Sequence, residues 1–141
     1  MIATPAQAKL IGLLIGRVTA DADEAASRWA ENASLAQEYG LQKRLLLARD
    51  WTADLVLDVS GEVYVVDTEY GSGQRVASET ERKVALFRSI RRYPELLSLL
   101  PPRTPESTTC EQCEGTGVLA ATLTNDALRN VVCECGGSGW I

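Results

Sequence analysis

Apolar residues recur at helical spacing through the N-terminal part of the chain. Thr4 followed by Pro5 is typical of a helix start, because threonine can cap the first turn and proline already has a helical φ angle. The periodicity predicts a helix over residues 5–19, whose inner face is Leu10, Ile11, Leu14, Ile15 and Val18. A second helix is predicted to start at Asp21 or Asp23 and to end near Tyr39-Gly40, with an inner face of Ala22, Ala25, Ala26, Trp29, Ala33 and Ala36.

The pattern changes from helices to strands in the middle of the chain. We predict a third, short helix over residues 41–49, followed by a hairpin that turns at Ser60-Gly61 and returns through residues 63–66. The first strand of this hairpin is predicted from Leu55, Val56, Leu57 and Val59. Its acidic residues are expected at strand edges or on the outer face: Asp54, Asp58, Glu62 and Asp67.

A further helix follows the hairpin. Ser78 and Glu81 are three positions apart and fit a capping box, in which each side chain bonds to the backbone of the other residue. The inner face of this helix is predicted to be Val84, Leu86, Phe87 and Ile90. Tyr93-Pro94 ends it, and a short helix carrying Leu96, Leu97, Leu99 and Leu100 comes next. These elements together predict an α+β fold with a small antiparallel sheet.

A proline-rich stretch divides the chain into two parts. Residues 101–109 contain three prolines and no hydrophobic residue, which is typical of an extended linker. We therefore predict an α+β domain over residues 1–100 and a separate module over residues 110–141. The module is expected to form a zinc-bound β-hairpin, since it holds all four cysteines.

Composition and charge limit the chemistry that the chain can carry. The 141 residues include no histidine, which excludes mechanisms built on a Ser-His or Cys-His pair. A net charge of −5 disfavours long-range attraction to nucleic acid. The most apolar stretch, residues 10–15, is far shorter than the roughly 20 residues that a membrane-spanning helix needs. We expect a cytoplasmic protein with no membrane partner, in which thiols stay reduced.

The four cysteines form two close pairs with the spacing of a metal site. The first pair is Cys110 and Cys113, the second is Cys133 and Cys135, and nineteen residues separate the pairs. Zinc binds four thiolates in a tetrahedron, and two turns brought together by a hairpin supply that geometry. Glycines beside the cysteines let the backbone curl around the metal. The sequence therefore predicts one structural zinc ion held by Cys110, Cys113, Cys133 and Cys135.

The first cysteine motif resembles a known chaperone module. Residues 110–117 fit the C-x-x-C-x-G-x-G repeat of the DnaJ cysteine-rich domain, and residues 135–139 resemble the last part of a second repeat. The second pair departs from the repeat, because Cys133 and Cys135 are separated by one residue instead of two. The resemblance implies zinc ligation by all four cysteines, with a largely structural metal, and a module that binds polypeptides.

Other uses of the cysteines remain open. Cys110 and Cys113 could exchange disulfides, which requires an accessible thiol with a lowered pKa. Iron–sulfur ligation and two plain disulfides are further alternatives. Catalytic zinc is disfavoured, since four protein thiolates leave no position for water.

The two halves of the chain differ in charge. Residues 104–141 carry a net charge of −4, whereas residues 75–103 hold seven basic residues against three acidic ones. The basic stretch could bind phosphate or an acidic partner, but we favour a solvated helix face. The two regions could also dock on each other. Trp140 and Ile141 are expected to pack within the fold, or else to contact a partner.

The middle of the chain resembles the SUKH superfamily more distantly. The resemblance rests on Leu57-Asp58, the turn at Gly61, the returning strand Val63-Tyr64-Val65, and Ala77-Ser78 leading into a helix. Many bacterial members of that superfamily are thought to bind and neutralise toxin domains, so the resemblance also implies a protein partner.

These observations favour a non-enzymatic zinc-binding protein that mediates protein–protein interaction. A nucleic-acid-binding zinc ribbon is the first alternative, although the acidic module counts against it. A thiol–disulfide redox protein that uses the C-x-x-C pair is the second.

Overall fold

The computed structural model describes residues 3–50, 52–71, 73–100, 105, 108, 109, 111, 118–121 and 129–132. Within these ranges the chain forms three helices, a four-stranded antiparallel sheet, a fourth helix, a 3-10 helix and a separate two-stranded sheet. The α+β class predicted from the sequence is confirmed. In the order of the chain, the elements before the fourth helix are α1 (Pro5–Ala20), α2 (Ala22–Arg28), α3 (Ala33–Leu41), β1 (Arg44–Arg49), β2 (Ala53–Asp58), β3 (Val63–Asp67) and β4 (Gln74–Val76).

Helix α1 begins where the sequence predicts. The Thr4 hydroxyl accepts the Gln7 backbone N–H at 3.2 Å, and the Gln7 side chain accepts the Thr4 backbone N–H at 2.9 Å. This capping box satisfies two of the donors that a helix start leaves free. The buried residues of the helix match the predicted stripe apart from the half-buried Leu10: Ile11, Leu14, Ile15 and Val18.

The prediction of one helix from Asp21 to Gly40 is wrong, because the chain breaks there into α2 and α3. Trp29 leaves the helical conformation, with φ −139° and ψ 62°. The break lets the Trp29 side chain turn inward, where it is 6% exposed, and it frees Asn32 to accept a hydrogen bond from Arg49 at 3.1 Å. Tertiary contacts therefore override an alanine-rich stripe that would suit a continuous helix.

The predicted short helix over residues 41–49 is also wrong, because this segment contains strand β1. Leu45, Leu46, Leu47 and Ala48 are consecutive and all buried. A helix on the surface of a core buries one face only, whereas a strand between two covering layers buries every residue. The leucines have high helix propensity, and burial on both sides of the sheet overrides it.

The central hairpin forms as predicted. Strands β2 and β3 pair in antiparallel register, with Leu55 opposite Val65 and Leu57 opposite Val63. Leu55, Val56 and Leu57 are consecutive and buried, so both faces of the sheet are covered here. The predicted fourth apolar residue, Val59, lies beyond the strand and is 42% exposed. Strand β4, which the sequence did not indicate, extends the sheet at the far side of β3.

Helix α4 (Glu79–Ser89) and the 3-10 helix (Pro94–Leu99) confirm the predicted elements after the sheet. The Ser78–Glu81 capping box is complete. Leu86 is buried as predicted, but Val84, Phe87 and Ile90 are only partly buried. Arg82 instead lies in the interior, where its guanidinium donates to the Gly61 carbonyl at 3.3 Å.

The C-terminal region contains a second pair of strands. Strands β5 (Val118–Ala121) and β6 (Arg129–Val132) pair in antiparallel register, with Val118 opposite Val132. They fall between the two cysteine pairs in the sequence. Cys110, Cys113, Cys133 and Cys135 lie outside the described residues, as do Trp140 and Ile141 and most of the linker 101–109. The zinc-bound hairpin and the domain limits therefore stay predictions.

Candidate functional site: an arginine cleft

A cleft of about 990 Å³ opens where α2, the turn after it, β1, and the segment after α4 meet. We call it the arginine cleft. Its charged lining consists of five arginines and two glutamates: Arg28, Arg49, Arg88, Arg91, Arg92, Glu31 and Glu95. Trp29 and Asn32 also line it. This concentration of positive charge contrasts with the chain as a whole, whose net charge is −5.

Arg28 connects the two sides of the cleft. From the end of α2 its guanidinium contacts Glu24 at 2.7 Å and Glu95 at 3.3 Å, and it donates to the backbone carbonyl of Arg92. It also lies 5.1 Å from the centre of the Tyr93 ring. These contacts fix α2 against the start of the 3-10 helix, so the cleft is held in shape by its own side chains.

Arg92 stacks on the indole ring of Trp29. The guanidinium carbon lies 3.6 Å from the ring centroid, which is a close cation–π contact. Burial lowers the pKa of Arg92 from its usual range, and electrostatic interactions with Tyr93 and Glu31 offset part of that effect. The cation is thus partly removed from water while its planar face is held in place by an aromatic ring.

Two buried polar groups of Trp29 and Tyr93 lack a conventional hydrogen-bond partner within the described residues. They are the indole N–H of Trp29 and the hydroxyl of Tyr93, both fully buried. Burial raises the pKa of Tyr93 to about 12, although Arg28 and the nearby Trp29 N–H oppose that rise. A phenol with this pKa stays neutral at physiological pH and is not a nucleophile.

One wall of the cleft is fixed by a buried carboxylate. Asp54 is 1% exposed, so its predicted place at a strand edge or on the outer face is wrong. It accepts hydrogen bonds from the Tyr39 hydroxyl at 2.7 Å and from Arg49 Nε at 2.8 Å. Burial and the hydrogen bond to Asp54 raise the pKa of Tyr39 above its usual range. This network orients Arg49 along the cleft.

The arginines of the cleft differ in how far their charge is balanced. Arg28 pairs with two glutamates, Arg49 with Asp54, and Arg88 with Asp50 at 3.2 Å. Among the residues that the structure describes, neither Arg91 nor Arg92 forms an ion pair. Arg91 is exposed. The cleft therefore offers two guanidinium groups that no carboxylate of the described residues pairs with.

A second groove, of about 610 Å³, lies on the other side of Arg88, between α4 and the sheet. We call it the acidic groove, since it is lined by Asp50, Asp67, Glu69 and Glu81. Arg75 makes a two-pronged ion pair with Glu81, at 2.6 and 2.7 Å. Tyr70 projects beside the groove and is 78% exposed. Arg88 lines both the arginine cleft and the acidic groove and lies at the boundary between them.

The basic stretch 75–103 is thus divided among three environments. Arg88, Arg91 and Arg92 reach the arginine cleft, Arg75 reaches the acidic groove, and Arg82 is buried. The sequence does not mark Arg28, Trp29 and Arg49 as parts of a site, because the residues that complete the cleft are distant from them along the chain. No local spacing signals such contacts.

The part of the chain that the structure describes contains no group of three or more histidine, cysteine or acidic side chains arranged to hold a metal ion. The four predicted zinc ligands fall outside it. None of its helices is both long enough and apolar enough to cross a membrane.

Comparison with known proteins gives no relative. No family model matches the chain, and no match is found among curated proteins or among solved structures.

Proposed function

We propose that this chain is a non-enzymatic zinc-binding protein that mediates protein–protein interaction. In this proposal the arginine cleft contacts the partner, and one structural zinc ion is held by Cys110, Cys113, Cys133 and Cys135. The stack of Arg92 on Trp29 is the single observation that carries the proposal of a binding surface. The zinc part is carried by the spacing of the cysteines.

The composition of the cleft is that of an interaction site. Tryptophan and arginine are the residues most enriched at the energetic centres of protein interfaces. An arginine already held against a ring loses little conformational entropy when a partner arrives. Arg28 further supports the arrangement by bonding the Arg92 carbonyl and Glu95. The surface is therefore largely preorganised for contact.

The cysteine module fits a structural role better than a catalytic one. Four thiolates would complete the tetrahedral coordination of zinc and leave no site for a reacting water. A module of this length buries little surface by itself, so the metal would supply much of its folding free energy. The DnaJ resemblance supports this reading of the motif. The SUKH resemblance supports a protein partner for the α+β part.

Elemental analysis with thiol titration tests the zinc proposal. We expect one zinc per chain in reduced protein, and four reactive thiols only after chelation. Protein without metal, with one or two fast-reacting thiols, would reject the zinc site and favour the redox alternative.

Partner capture with matched charge variants tests the binding surface. The double variant Arg91→Glu/Arg92→Glu reverses the charge of the two cleft arginines that form no ion pair within the described residues. Lys9→Glu/Lys43→Glu makes the same change in net charge at exposed positions that do not line the cleft. A partner captured by cross-linking, then purified, should lose at least about tenfold in affinity for the first variant and keep its affinity for the second. Equal binding by both variants would reject the cleft as the contact surface.

Nucleic acid is the alternative ligand for the cleft, because arginines also bind phosphate. It predicts tight oligonucleotide binding that weakens steeply with salt. Glu31 and Glu95 within the cleft, together with the net charge of −5, count against it.

A further inference from the structure

We infer that the arginine cleft binds an acidic peptide segment, in which carboxylates meet Arg91 and Arg92. This inference rests on the proposed function, since it names the chemistry that the protein partner presents to the cleft. It goes beyond that proposal because a protein interface need not be acidic.

The charge balance of the cleft is the first argument. Three of its five arginines already have carboxylate partners within the fold, through Glu24, Glu95, Asp54 and Asp50. Arg91 and Arg92 have none among the described residues, and they are adjacent in the chain. Two neighbouring guanidinium groups that form no ion pair with a described residue make a site of fixed positive charge, which a ligand carboxylate complements with charge-assisted hydrogen bonds.

The state of Arg92 is the second argument. Its stacking on Trp29 and its partial burial remove water from a cation, and the nearby Glu31 offsets only part of that loss. The edge of a guanidinium carries the N–H donors, and stacking leaves the edge free for a planar acceptor. A carboxylate matches this fork in geometry and charge, so its binding would replace the solvation that Arg92 has lost.

The two glutamates decide between a peptide and a nucleic acid. Glu31 and Glu95 line the same cleft as the two unpaired arginines. A nucleic acid strand carries a phosphate at every nucleotide, so a strand that follows the cleft brings negative charge against these glutamates. A peptide can place carboxylates opposite the arginines and neutral residues opposite the glutamates. Mixed charge in the cleft therefore favours an acidic peptide.

Peptide binding to the full-length protein tests the inference directly. The probe is a fluorescent peptide of about twelve residues, rich in glutamate, and its control has every glutamate replaced by glutamine. We expect saturable anisotropy changes for the glutamate peptide alone. The dissociation constant should rise several-fold between about 50 and about 200 mM salt, because exposed charges are screened.

Matched variants locate the binding. Arg91→Gln/Arg92→Gln should weaken binding at least about tenfold, whereas Lys9→Gln/Lys43→Gln should leave it within about twofold. Because Arg92 packs on Trp29, the double variant could lose stability, so the single variant Arg91→Gln provides the decisive comparison. Arg91 is exposed, and removing its charge alone should still weaken binding several-fold. Equal binding of the two peptides, or unchanged binding by Arg91→Gln, would overturn the inference.

Two further outcomes separate this inference from the proposed function. A single-stranded oligonucleotide that binds more tightly than the acidic peptide, and loses affinity in Arg91→Gln, would assign the cleft to nucleic acid and overturn both. A purified protein partner could instead bind in a way that requires Arg91 and Arg92, is not displaced by the glutamate peptide and does not weaken with salt. That result would overturn the inference of an acidic segment but would leave the proposed protein-binding function standing.

Discussion

Asp54 illustrates how one buried charge organises its surroundings. A buried carboxylate is costly unless it is paired and hydrogen-bonded. Here the Tyr39 hydroxyl and the Arg49 guanidinium bind its two oxygens. The three residues come from α3, β1 and β2, so the network joins the helical layer to the sheet. It also holds Arg49 at the wall of the arginine cleft.

Replacing Asp54 should therefore destabilise the fold. In Asp54→Asn the charge is lost and the amide cannot serve both donors, so we expect the free energy of unfolding to fall by about 1–3 kcal/mol. Urea unfolding measures the change. Asp23→Asn, an exposed substitution in α2, should change stability by no more than about 0.5 kcal/mol. Similar losses in both variants would contradict a structural role for the network.

Glu81 gives the fold a defined dependence on pH. Its hydrogen bonds to Arg75, and then to the Ser78 backbone, lower the pKa of Glu81 from 4.5 to about 2. A lowered pKa means that the folded state binds fewer protons than the unfolded state between these values. The contribution of Glu81 to stability is therefore complete above about pH 4.5 and is lost as the pH falls towards 2.

Comparison with Glu81→Gln isolates this contribution. Near neutral pH we expect the wild type to be more stable by about 1 kcal/mol, since solvent screens this partly exposed pair. The difference should shrink as the pH falls from about 4.5 to about 2, when followed by urea unfolding at each pH. Glu38→Gln, at an exposed position, is the control and should follow the wild type. A difference that persists unchanged at the lowest pH would refute the assignment.

At the scale of elements, the sequence predicted what local chemistry determines. The Thr4 cap, the Ser78–Glu81 capping box, the turn at Gly61 and the central hairpin follow from residues that are neighbours in the chain. The strand β1 and the break at Trp29 do not. They depend on burial between two layers and on a stack with Arg92, which is remote in sequence. Those contacts exist only after the chain has folded, and no local pattern encodes them.

Gly61 is the turn residue whose substitution should cost most. Its φ angle is +89°, and a Cβ atom there would lie 2.9 Å from the Ala3 Cβ and 3.0 Å from the Ala3 nitrogen. Both the left-handed backbone conformation and the close contact with Ala3, which precedes α1, disfavour a side chain at Gly61. We expect Gly61→Ala to lower the free energy of unfolding by about 2 kcal/mol, measured by urea or thermal unfolding.

Gly16 provides a control, because its substitution by alanine should raise stability instead of lowering it. It is exposed in α1, and a Cβ atom there would meet nothing within 4 Å. Alanine restricts the unfolded chain and favours the helix, so Gly16→Ala should raise stability by roughly 0.5–1 kcal/mol. Changes of the same sign in both variants would show that the two positions are not distinguished by backbone geometry.

At the scale of the whole molecule, the hydrophobic core of the described residues lies in the α+β part. Its buried cluster runs from Ile11 to Leu99 and draws on the helices and on strands β1 to β3. A core of this kind needs no metal to fold. The proposed zinc module would instead depend on its ion.

Metal removal should therefore affect the two parts differently. With excess chelator, we expect the cysteine thiols to become reactive while the cooperative unfolding of the core stays within about 4 °C of its original midpoint. Circular dichroism during heating, with thiol titration alongside, measures both. The variant Cys113→Ser should reproduce the effect of chelation. Loss of the main unfolding transition on chelation would show that the core depends on the metal.

The candidate site was predictable only in part. Cysteine spacing is visible in the sequence because the ligands of each pair are neighbours. The arginine cleft is not, since Trp29 and Arg92 become partners only when α2 meets the end of α4. The basic stretch indicated the correct charge, but it did not separate Arg91 and Arg92 from Arg82, which the fold buries.

The hydrogen bond from the Gln7 side chain to the Ser98 carbonyl, 3.1 Å long, has a topological consequence. It joins the first turn of α1 to the last turn of the 3-10 helix. Just before α1, the Ala3 N–H donates to the Ser60 carbonyl in the turn between β2 and β3. The polypeptide thus enters and leaves the α+β part beside a single seam. Folds with adjoining ends tolerate circular permutation and insertion into other chains. Such a unit can be combined with new neighbours in the polypeptide without any change to its interior.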